Sequence, residues 1–554
     1  MAVPQKRRTA IQEAAMLYRS CTDVYNGGRD NTDEAKALLQ KFGISWPVVS
    51  APSNVLRILS SVSATWYCGS VLRFEISALD KRLTITPAPF FQFLIERRAQ
   101  LLQKGWDEER YRGLFEALVE AFALPDTGRP LTFEKHVMIE GTVLLLLRSA
   151  FTAPSWRTIQ NATLDDVVDM TQKAKPRKAW EEELTAAFKA FVDVSFVVAV
   201  ENVGFFLAFF DLLRRQGEYI LAYYVGWDVV QLLALVSSAD LIRHYFVVGD
   251  EAKEGHALFC VKLTYMYMSP FLYASYVRDH IGIDVLSDVG DVARSIEKAS
   301  WDSATTWWQK ASIAANLLSG RKLVDYLNTT RKSDVSIINQ YTLIPKMSDN
   351  ILTNMRVATW SRAVGSIRTS VAIMMEDGRV RFYHFSNGTL QLHPIAFQEP
   401  FYSSEALPAI KYGTVGAEIA YAMASRVLSI ALPSNAELGE ALRPRLACIF
   451  GHELATAELR VDQIELLQSL TSIRIALRAY LDRWRPNGGR LRDYGHLSGA
   501  QLFFLFWCFV QCGVEGGSSV CNDPARLIAG FADAFRCAKN SSMFTGKDCR
   551  TFEP

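Results

Sequence analysis

Apolar residues recur at every third or fourth position through roughly the first 335 residues, with polar residues between them. This spacing collects apolar side chains on one face of a helix, so it predicts one amphipathic helix after another. The predicted helices are residues 6–21, 32–43, 89–104, 107–122, 132–149, 164–173, 180–192, 218–244, 259–281 and 284–318. No fixed period repeats along them, which argues against a solenoid.

A strand signal follows in the second part of the chain. Residues 379–394, RVRFYHFSNGTLQLHP, alternate between apolar and polar, and Asn387-Gly388 lies at their middle. An Asn-Gly pair between alternating runs predicts a β-hairpin.

Helical spacing resumes after the hairpin, at residues 413–428, 461–484 and 496–511. We therefore predict a mainly α, two-lobed, multi-helical protein with a small β element next to the helix at 413–428. The predicted division is a helical N-terminal lobe over 1–340 and a C-terminal lobe over 341–554.

The best candidate for a membrane span is residues 194–213, VSFVVAVENVGFFLAFFDLL. Its length is sufficient to cross a bilayer, but it carries Glu201, Asn202 and Asp211. Charged side chains are costly at bilayer depth. The sequence therefore predicts a helix buried in the protein core, and no membrane span.

Charge is nearly balanced, because 60 Lys and Arg residues accompany 58 Asp and Glu residues. Like charges form no long run, so nothing favours nucleic acid or an anionic membrane as a partner. Hydrophobic residues make up 49% of the 554 positions, as is usual for a globular protein with a large core. No apolar stretch follows the basic N-terminal residues, so we expect no secretory signal in this chain.

Nine cysteines are present, and five of them lie between positions 508 and 549. They form no paired CxxC zinc pattern. This cysteine-rich end favours an extracellular or secreted protein with disulfide bonds. Four glycosylation sequons favour the same location, at Asn161, Asn328, Asn387 and Asn540. With no signal visible, we expect a mature product or an N-terminally incomplete chain.

Several short stretches of the sequence resemble segments of one and the same protein family. In the first half they are LYRSC at 17–21, LLQKFGISWP at 38–47 and YILAYYVGWDVVQLL at 219–233. In the second half they are PIAFQEPFY at 394–402, AIKYGTVG at 409–416, QLFF at 501–504 and FVQC at 509–512. Together they resemble the neprilysin and endothelin-converting-enzyme family of zinc metallopeptidases. The resemblance covers most of the chain.

In that family one helix carries HExxH, in which two His residues one turn apart bind zinc and the Glu activates water. The resemblance places Tyr421 and Ser425 at the two His positions and Ala422 at the Glu position. A second helix provides a Glu ligand and an Asp that orients the His residues. These positions fall on Glu465 and Ser469. One glutamate cannot hold a catalytic zinc, so we expect no catalytic residue, no metal and no cofactor, although zinc is the family's cofactor.

The resemblance also assigns positions outside the two helices. The family's transition-state His falls on Asn522, and a nearby Arg falls on Arg526. The Asn-Ala pair that binds the substrate backbone falls on Arg381 and Phe382. The residues predicted to line a binding cavity are therefore Arg381, Phe382, Tyr421, Ser425, Glu465 and Arg526.

Two disulfide bonds follow from the resemblance, Cys21–Cys260 and Cys448–Cys549. The resemblance implies partners for Cys512 and Cys537 in an N-terminal segment that we expect this chain to lack. The pairing of the other cysteines stays open, namely Cys68, Cys508, Cys512, Cys521 and Cys537.

A second stretch imitates half of a zinc motif. His452 and Glu453 lie in GHELAT, where the residue four positions after the His is Thr456. A His-Glu pair without the second His is more often a surface pair than a metal site. An alternative metal site would combine His452, Glu453 and Glu465.

Three functions remain open from the sequence. The first is an inactive metallopeptidase homologue that binds a peptide or protein, or forms a dimer with a related protein. The second is an active zinc metalloendopeptidase with relocated ligands. The third is a purely structural helical protein.

Overall fold

The computed structural model describes most of the chain in segments. They are residues 8–48, 54–77, 81–91, 93–95, 98, 108–123, 130–152, 159–246, 249–308, 346–364, 375–376, 379–380, 383–386, 389–392, 394–399, 401–434, 436–452, 459, 461–484, 496–512 and 517–549. The chain forms two compact units. The first comprises Met1–Leu272 and Asn339–Ile367, and the second comprises Tyr273–Ile338 and Arg368–Pro554.

The first unit is built mainly from helices. Its elements are α1 (Ala10–Tyr25), α2 (Thr32–Phe42), α3 (Val55–Thr65), β1 (Leu72–Ser77), β2 (Arg82–Pro87), α4 (Glu108–Phe122), α5 (Phe133–Thr152), β3 (Ile159–Ala162), α6 (Leu164–Met170), α7 (Arg177–Phe188), β4 (Val197–Val200), α8 (Val203–Ser237), α9 (Ala239–Phe246), most of α10 (Gly249–His280) and α12 (Ile351–Val364). Capping explains several helix ends. Thr9 and Gln12 form a capping box at the start of α1, and left-handed Gly43 ends α2.

The second unit is also mainly helical. Its elements are α11 (Ile283–Trp308), β5 (Met375–Glu376), β6 (Arg379–Val380), β7 (Tyr383–Ser386), β8 (Thr389–Leu392), a 3₁₀ turn (Pro394–Phe397), α13 (Pro408–Lys411), a π-helical turn (Tyr412–Gly416), α14 (Ala417–Ser434), α15 (Ala436–Phe450), α16 (Val461–Trp484), α17 (Gly499–Phe509), α18 (Gly517–Ala525) and α19 (Ala529–Phe535). The predicted mainly α fold is confirmed. The predicted hairpin is confirmed as well, since β7 and β8 pair antiparallel with Ser386 opposite Thr389.

The division into units differs from the predicted boundary at residue 340. The first unit ends near residue 272, inside α10, and residues 339–367 belong to it again. Because α10 is one continuous helix, the sequence pattern does not change at this point. The returning helix α12 packs on α1, where the Asn354 side-chain amide donates a hydrogen bond to Ser20 Oγ at 2.9 Å.

A four-stranded sheet in the first unit was missed by the sequence analysis. Its strand order is β1-β2-β4-β3. β1 and β2 pair antiparallel, with Phe74 opposite Ile85, whereas β2 and β4 run parallel, with Ile85 opposite Val200. The expectation that this half consists of helices alone is therefore wrong.

The predicted helix over 194–213 is wrong in its first part. Val197–Val200 forms strand β4, and helix α8 begins only at Val203. A short apolar run fits a buried strand and a buried helix equally well, so periodicity could not separate them. Asn202 starts the helix, because its side-chain oxygen accepts a hydrogen bond from the Phe205 N–H at 3.1 Å.

Helix α8 is the one described helix with the length and apolar composition to cross a bilayer. Within its most apolar stretch, however, 89% of the residues are buried inside the protein. Such burial is typical of a core helix. The structure thus contains no clear membrane span among its described residues.

The core of the first unit encloses a buried polar network around His136. The His136 ring lies between Trp227 and Phe115, with ring centroids at 4.4 and 4.6 Å. Its Nδ1 lies 3.1 Å from Tyr223 Oη, and its Nε2 lies 3.4 Å from Tyr111 Oη. Polar groups buried this deeply are stable only when hydrogen-bonded.

Three disulfide bonds link described residues. Cys21 pairs with Cys260 and Cys448 pairs with Cys549, as the family resemblance implies. The third, Cys508–Cys521, resolves one of the pairings that the sequence left open. The free thiols are buried Cys68, exposed Cys512 and half-buried Cys537.

Candidate functional site

The π-helical turn Tyr412–Gly416 leads directly into α14, and all five of its residues are buried. Such turns are rare and often occur at functional sites. Gly413 has no room for a side chain, because a Cβ there would lie 2.5 Å from the backbone oxygen of Phe503. The start of α14 is therefore fixed closely against α17.

A charged cluster of Lys411, Asp288 and Tyr402 lies just before this turn. Lys411 Nζ donates hydrogen bonds to Asp288 Oδ2 at 2.6 Å and to the Ser404 carbonyl at 2.8 Å. The Tyr402 hydroxyl donates to the same Asp288 oxygen at 2.5 Å. Burial raises the pKa of Asp288, but the hydrogen bonds from Lys411 and Tyr402 outweigh it and leave the pKa below its ordinary value.

Replacing Lys411 by Met should lower the free energy of unfolding by about 1–2 kcal/mol, because Asp288 loses its cation. Arg177→Met is the matched control, since the Arg177–Asp165 pair is exposed and should contribute less than about 0.5 kcal/mol. Urea unfolding of both variants measures the difference. Equal losses would show that the Lys411 ion pair is no stronger than an exposed one.

Helices α14 and α16 pack against each other, and one side chain bridges them. The Tyr421 hydroxyl donates a hydrogen bond to Gln468 Oε1 at 2.9 Å. The Gln468 amide Nε2 in turn donates to Ser425 Oγ at 3.4 Å. Tyr421 and Ser425 lie one turn apart on α14, so the amide of Gln468 joins both along one face of that helix.

The other predicted motif positions on this helix pair are Ala422, Ser469 and Glu465. Ala422, between the two bridged residues, is fully buried and ends in a methyl group. On α16, Ser469 is buried and Glu465 is half-buried one turn before Gln468. Within the predicted motif positions, Glu465 is thus the one carboxylate.

A catalytic zinc needs three ligands from His, Cys or carboxylate side chains. The phenol of Tyr421 and the hydroxyl of Ser425 are engaged with Gln468, and Ala422 has no ligand atom. Cys21, His256 and Cys260 form the one cluster of potential metal ligands found among the described residues, and they belong to the first unit. The residues at 421–425 and 465–469 therefore do not fit a catalytic zinc.

The structure does not bring together all of the predicted cavity residues. Asn522 and Arg526 are exposed on and after α18, and Arg526 pairs with Asp523 at 3.2 Å. Arg381 and Phe382 lie outside the described residues. Of the predicted set, the structure thus joins Tyr421 and Ser425 through Gln468.

The alternative metal site at His452 stays a prediction. His452 is exposed just beyond α15, and its Nδ1 lies 3.1 Å from the Phe450 carbonyl oxygen. Glu453 lies outside the described residues. If this site served catalysis, His452→Ala would abolish peptide cleavage.

Sequence reasoning missed Gln468. It belongs to neither metal-binding pattern, since the family positions on this helix fall on Glu465 and Ser469. The available signal was its position, three residues after Glu465, which places both side chains on one face of α16.

Comparison with known proteins identifies solved structures that have a similar fold. No protein-family model matches the sequence, and no curated protein matches it. The structure is similar to a Haemonchus galactose-containing glycoprotein complex, with a TM-score of 0.57, 14% identity, and coverage of 99% of this chain and 94% of the other. It is also similar to the crystal structure of PepO from Lactobacillus rhamnosis HN001, with a TM-score of 0.55, 12% identity, and coverage of 99% and 91%.

The chain has the fold of PepO- and neprilysin-like zinc metallopeptidases. Identities of 12–14% establish the fold and nothing further about the site. The similarity extends over nearly the whole of each chain, as the sequence resemblance implies.

Proposed function

We propose that this chain is a catalytically inactive relative of the neprilysin-like metallopeptidases, which acts outside the cell by binding a peptide or protein. The observation that carries the proposal is the Tyr421–Gln468–Ser425 bridge, at the positions where the resemblance places the two zinc-binding His residues. Hydrogen bonds between neutral groups occupy the face that would otherwise present imidazole nitrogens to a metal.

Peptide hydrolysis by this family's route needs a polarising metal and a base for the attacking water. The base position is the buried methyl group of Ala422, and the position of the transition-state His is exposed Asn522. The zinc ligands and the base are missing together. No single substitution therefore accounts for the loss, and no part of the hydrolytic mechanism remains. The retained helix pair and its buried lead therefore support a binding role rather than a catalytic one.

An extracellular location is supported by two features. Three disulfide bonds are typical of proteins from oxidising compartments. The sequon at Asn540 is accessible, because Asn540 is exposed in a turn in which the Ser541 N–H donates to the Ala538 carbonyl at 2.8 Å.

Expression through a secretory pathway should therefore add a glycan that Asn540→Gln removes.

Placing His residues at positions 421 and 425 tests whether the side chains there are the reason that we expect no bound zinc. The triple variant Tyr421→His/Ser425→His/Gln468→Ala, with Glu465 retained, should bind one zinc per chain. Its affinity should be at least roughly 100-fold above that of the wild type, because two imidazoles then join Glu465 at the positions that the resemblance assigns to the zinc ligands. Metal analysis after dialysis measures the zinc content.

The control is Tyr421→Phe/Ser425→Ala/Gln468→Ala, which opens the same space without adding ligands. It should bind no zinc. Equal zinc contents of the control and the triple variant would show that the metal binds elsewhere. The Gln468 bridge would then no longer support the proposal. Zinc in neither variant, with both folded, would contradict the assignment of these positions.

A further inference from the structure

Three cysteines lie on neighbouring elements of the second unit. Cys508, in the last turn of α17, is bonded to Cys521 on α18, and their Cα atoms are 5.2 Å apart. Cys512 follows α17 and carries a free thiol. Cys512 is exposed, whereas Cys508 and Cys521 are half-buried. Solvent therefore reaches both the free thiol and the residues of the disulfide bond.

Cys512 lies one helical turn after Cys508. The chain continues helically past the end of α17, because the Gln511 N–H donates to the Cys508 carbonyl and the Cys512 N–H donates to the Phe509 carbonyl, each at 3.0 Å. Residues four apart in a helix are separated by about 6 Å along its axis. The Cys512 side chain is directed back along this turn, since its Sγ lies 3.9 Å from the Cys508 carbonyl oxygen. A disulfide bridges Cα atoms up to about 6.8 Å apart, so Cys512 is within bonding reach of Cys508.

The first half of α18 has little packing of its own. None of the described side chains over 519–523 is fully buried. The chain just after the helix is held differently, because Arg474 Nη2 on α16 donates to the Leu527 carbonyl at 3.2 Å. The Cys508–Cys521 bond is therefore the covalent tether for the first half of α18.

We propose that Cys512 makes this tether exchangeable, so that α18 has a tethered state and a released state. The Cys512 thiolate attacks Cys508 Sγ, a Cys508–Cys512 bond forms, and the Cys521 sulfur leaves as a thiolate that takes up the proton lost from Cys512. One disulfide is broken and one is formed, so the exchange needs no reductant and no oxidant. It is therefore compatible with an oxidising compartment outside the cell.

Release of α18 would free two residues of the second unit that the family resemblance singles out. Asn522 lies next to Cys521 on α18, and Arg526 follows the helix. The exchange would thus change the position of both relative to α17. Its link to ligand binding rests on the function proposed above, whereas the exchange itself does not, so the zinc tests and the tests below fail separately.

The first test asks whether Cys508 and Cys512 bond to each other. In the full-length Cys521→Ser variant, incubation in air should join them, with molecular oxygen taking the two electrons and two protons and forming hydrogen peroxide. Proteolytic cleavage after Phe509 and after Glu515 separates the three cysteine positions, so mass spectrometry of the peptides identifies each bond. Cys508 and Cys512 both free in the folded, air-oxidised variant would overturn the proposal.

The second test keeps the native tether. Native wild type treated with iodoacetamide should be labelled at Cys521 at least roughly 10-fold more than Cys512→Ser, in which the attacking thiol is missing. Cys537→Ser is the matched control, because it removes a different free thiol and should leave the labelling of Cys521 at the wild-type level. Equal labelling in wild type and Cys512→Ser, or labelling of Cys508 in place of Cys521, would overturn the proposal.

Hydrogen exchange measures the release of α18 itself. The amides of residues 519–523 should exchange at least roughly 10-fold faster in air-oxidised Cys521→Ser than in Cys512→Ser, whereas those of α16 should be alike in both. Equal exchange over 519–523 would overturn the released state. Far-UV circular dichroism checks the fold of each variant, and should Cys521→Ser fail to fold, the labelling comparison with Cys512→Ser decides.

Discussion

Replacing Asp228 by Asn is expected to make the stability of this protein fall steeply on acidification below pH 6.5, in contrast to the wild type. Replacing His136 by Phe should have the opposite effect and make stability fall as pH rises from 4 towards 7. Both residues are buried in the first unit. Their pKa shifts change the stability with pH in opposite senses, so the two effects offset each other in the wild-type protein.

His136 stays neutral in the folded protein. Burial, and then the nearby Arg98 cation, lowers its pKa from 6.5 to about 3. Between these values the unfolded chain binds a proton that the folded chain does not. Its contribution is fully present above pH 6.5 and declines as pH falls, with a slope of about 1.4 kcal/mol per pH unit.

Asp228 behaves in the opposite sense. Burial raises its pKa from 3.8 to about 7, although the hydrogen bond from the Ser70 hydroxyl at 2.6 Å favours the charged form. Between these values the folded chain binds a proton that the unfolded chain has lost. Stability therefore declines as pH rises from 3.8 to 7, with a slope of similar size. Between pH 3.8 and 6.5 the two slopes offset each other.

Urea unfolding of wild type, Asp228→Asn and His136→Phe across pH 4–8 measures these slopes as differences between variant and wild type. Asp228→Asn should also raise stability at neutral pH, by up to about 4 kcal/mol, because no carboxylate is then buried in charged form. His136→Phe forfeits two hydrogen bonds and starts from a lower stability. Parallel curves for all three proteins would contradict the assigned protonation states.

Gly413→Ala is expected to lower the free energy of unfolding by about 2–4 kcal/mol, because the added methyl group meets backbone atoms that cannot rotate away. The Cβ would lie 2.5 Å from the Phe503 oxygen and 3.2 Å from its carbonyl carbon. The π-helical turn would have to separate from α17, which would displace the start of α14.

Gly141→Ala provides the matched control, since a Cβ there meets nothing within 4 Å on helix α5. Alanine favours a helix interior, so this variant should be unchanged or stabilised by up to about 1 kcal/mol. Circular dichroism during thermal unfolding compares the two variants. A Gly413→Ala protein as stable as Gly141→Ala would show that the lead into α14 is loosely packed.

The sequence predicted the helices well where amphipathic spacing was sustained and capped. Helix α16 occupies the predicted 461–484, and α2 ends on left-handed Gly43 as its pattern indicates. The hairpin of β7 and β8 was likewise readable from Asn-Gly and alternation. These features depend on neighbours in the sequence.

The four-stranded sheet was missed because its strands are short and partner across long separations. Val197–Val200 pairs with Arg82–Ile85, more than a hundred residues earlier in the chain, which no local pattern reports. The Cys508–Cys521 pairing, across a separation of 13 residues, and the bridging role of Gln468 were beyond the sequence for a different reason. Each depends on which helix faces which, and the resemblance supplied only the positions of lost ligands.

The central proposal is that the helix pair of α14 and α16 has exchanged a zinc site for the hydrogen-bonded bridge at Gln468. The most direct measurement is the metal content of the purified wild-type chain, combined with a broad peptide-cleavage assay with and without a chelator. We expect less than about 0.1 zinc per chain and no cleavage that the chelator abolishes. One zinc per chain with chelator-sensitive cleavage would contradict the proposal.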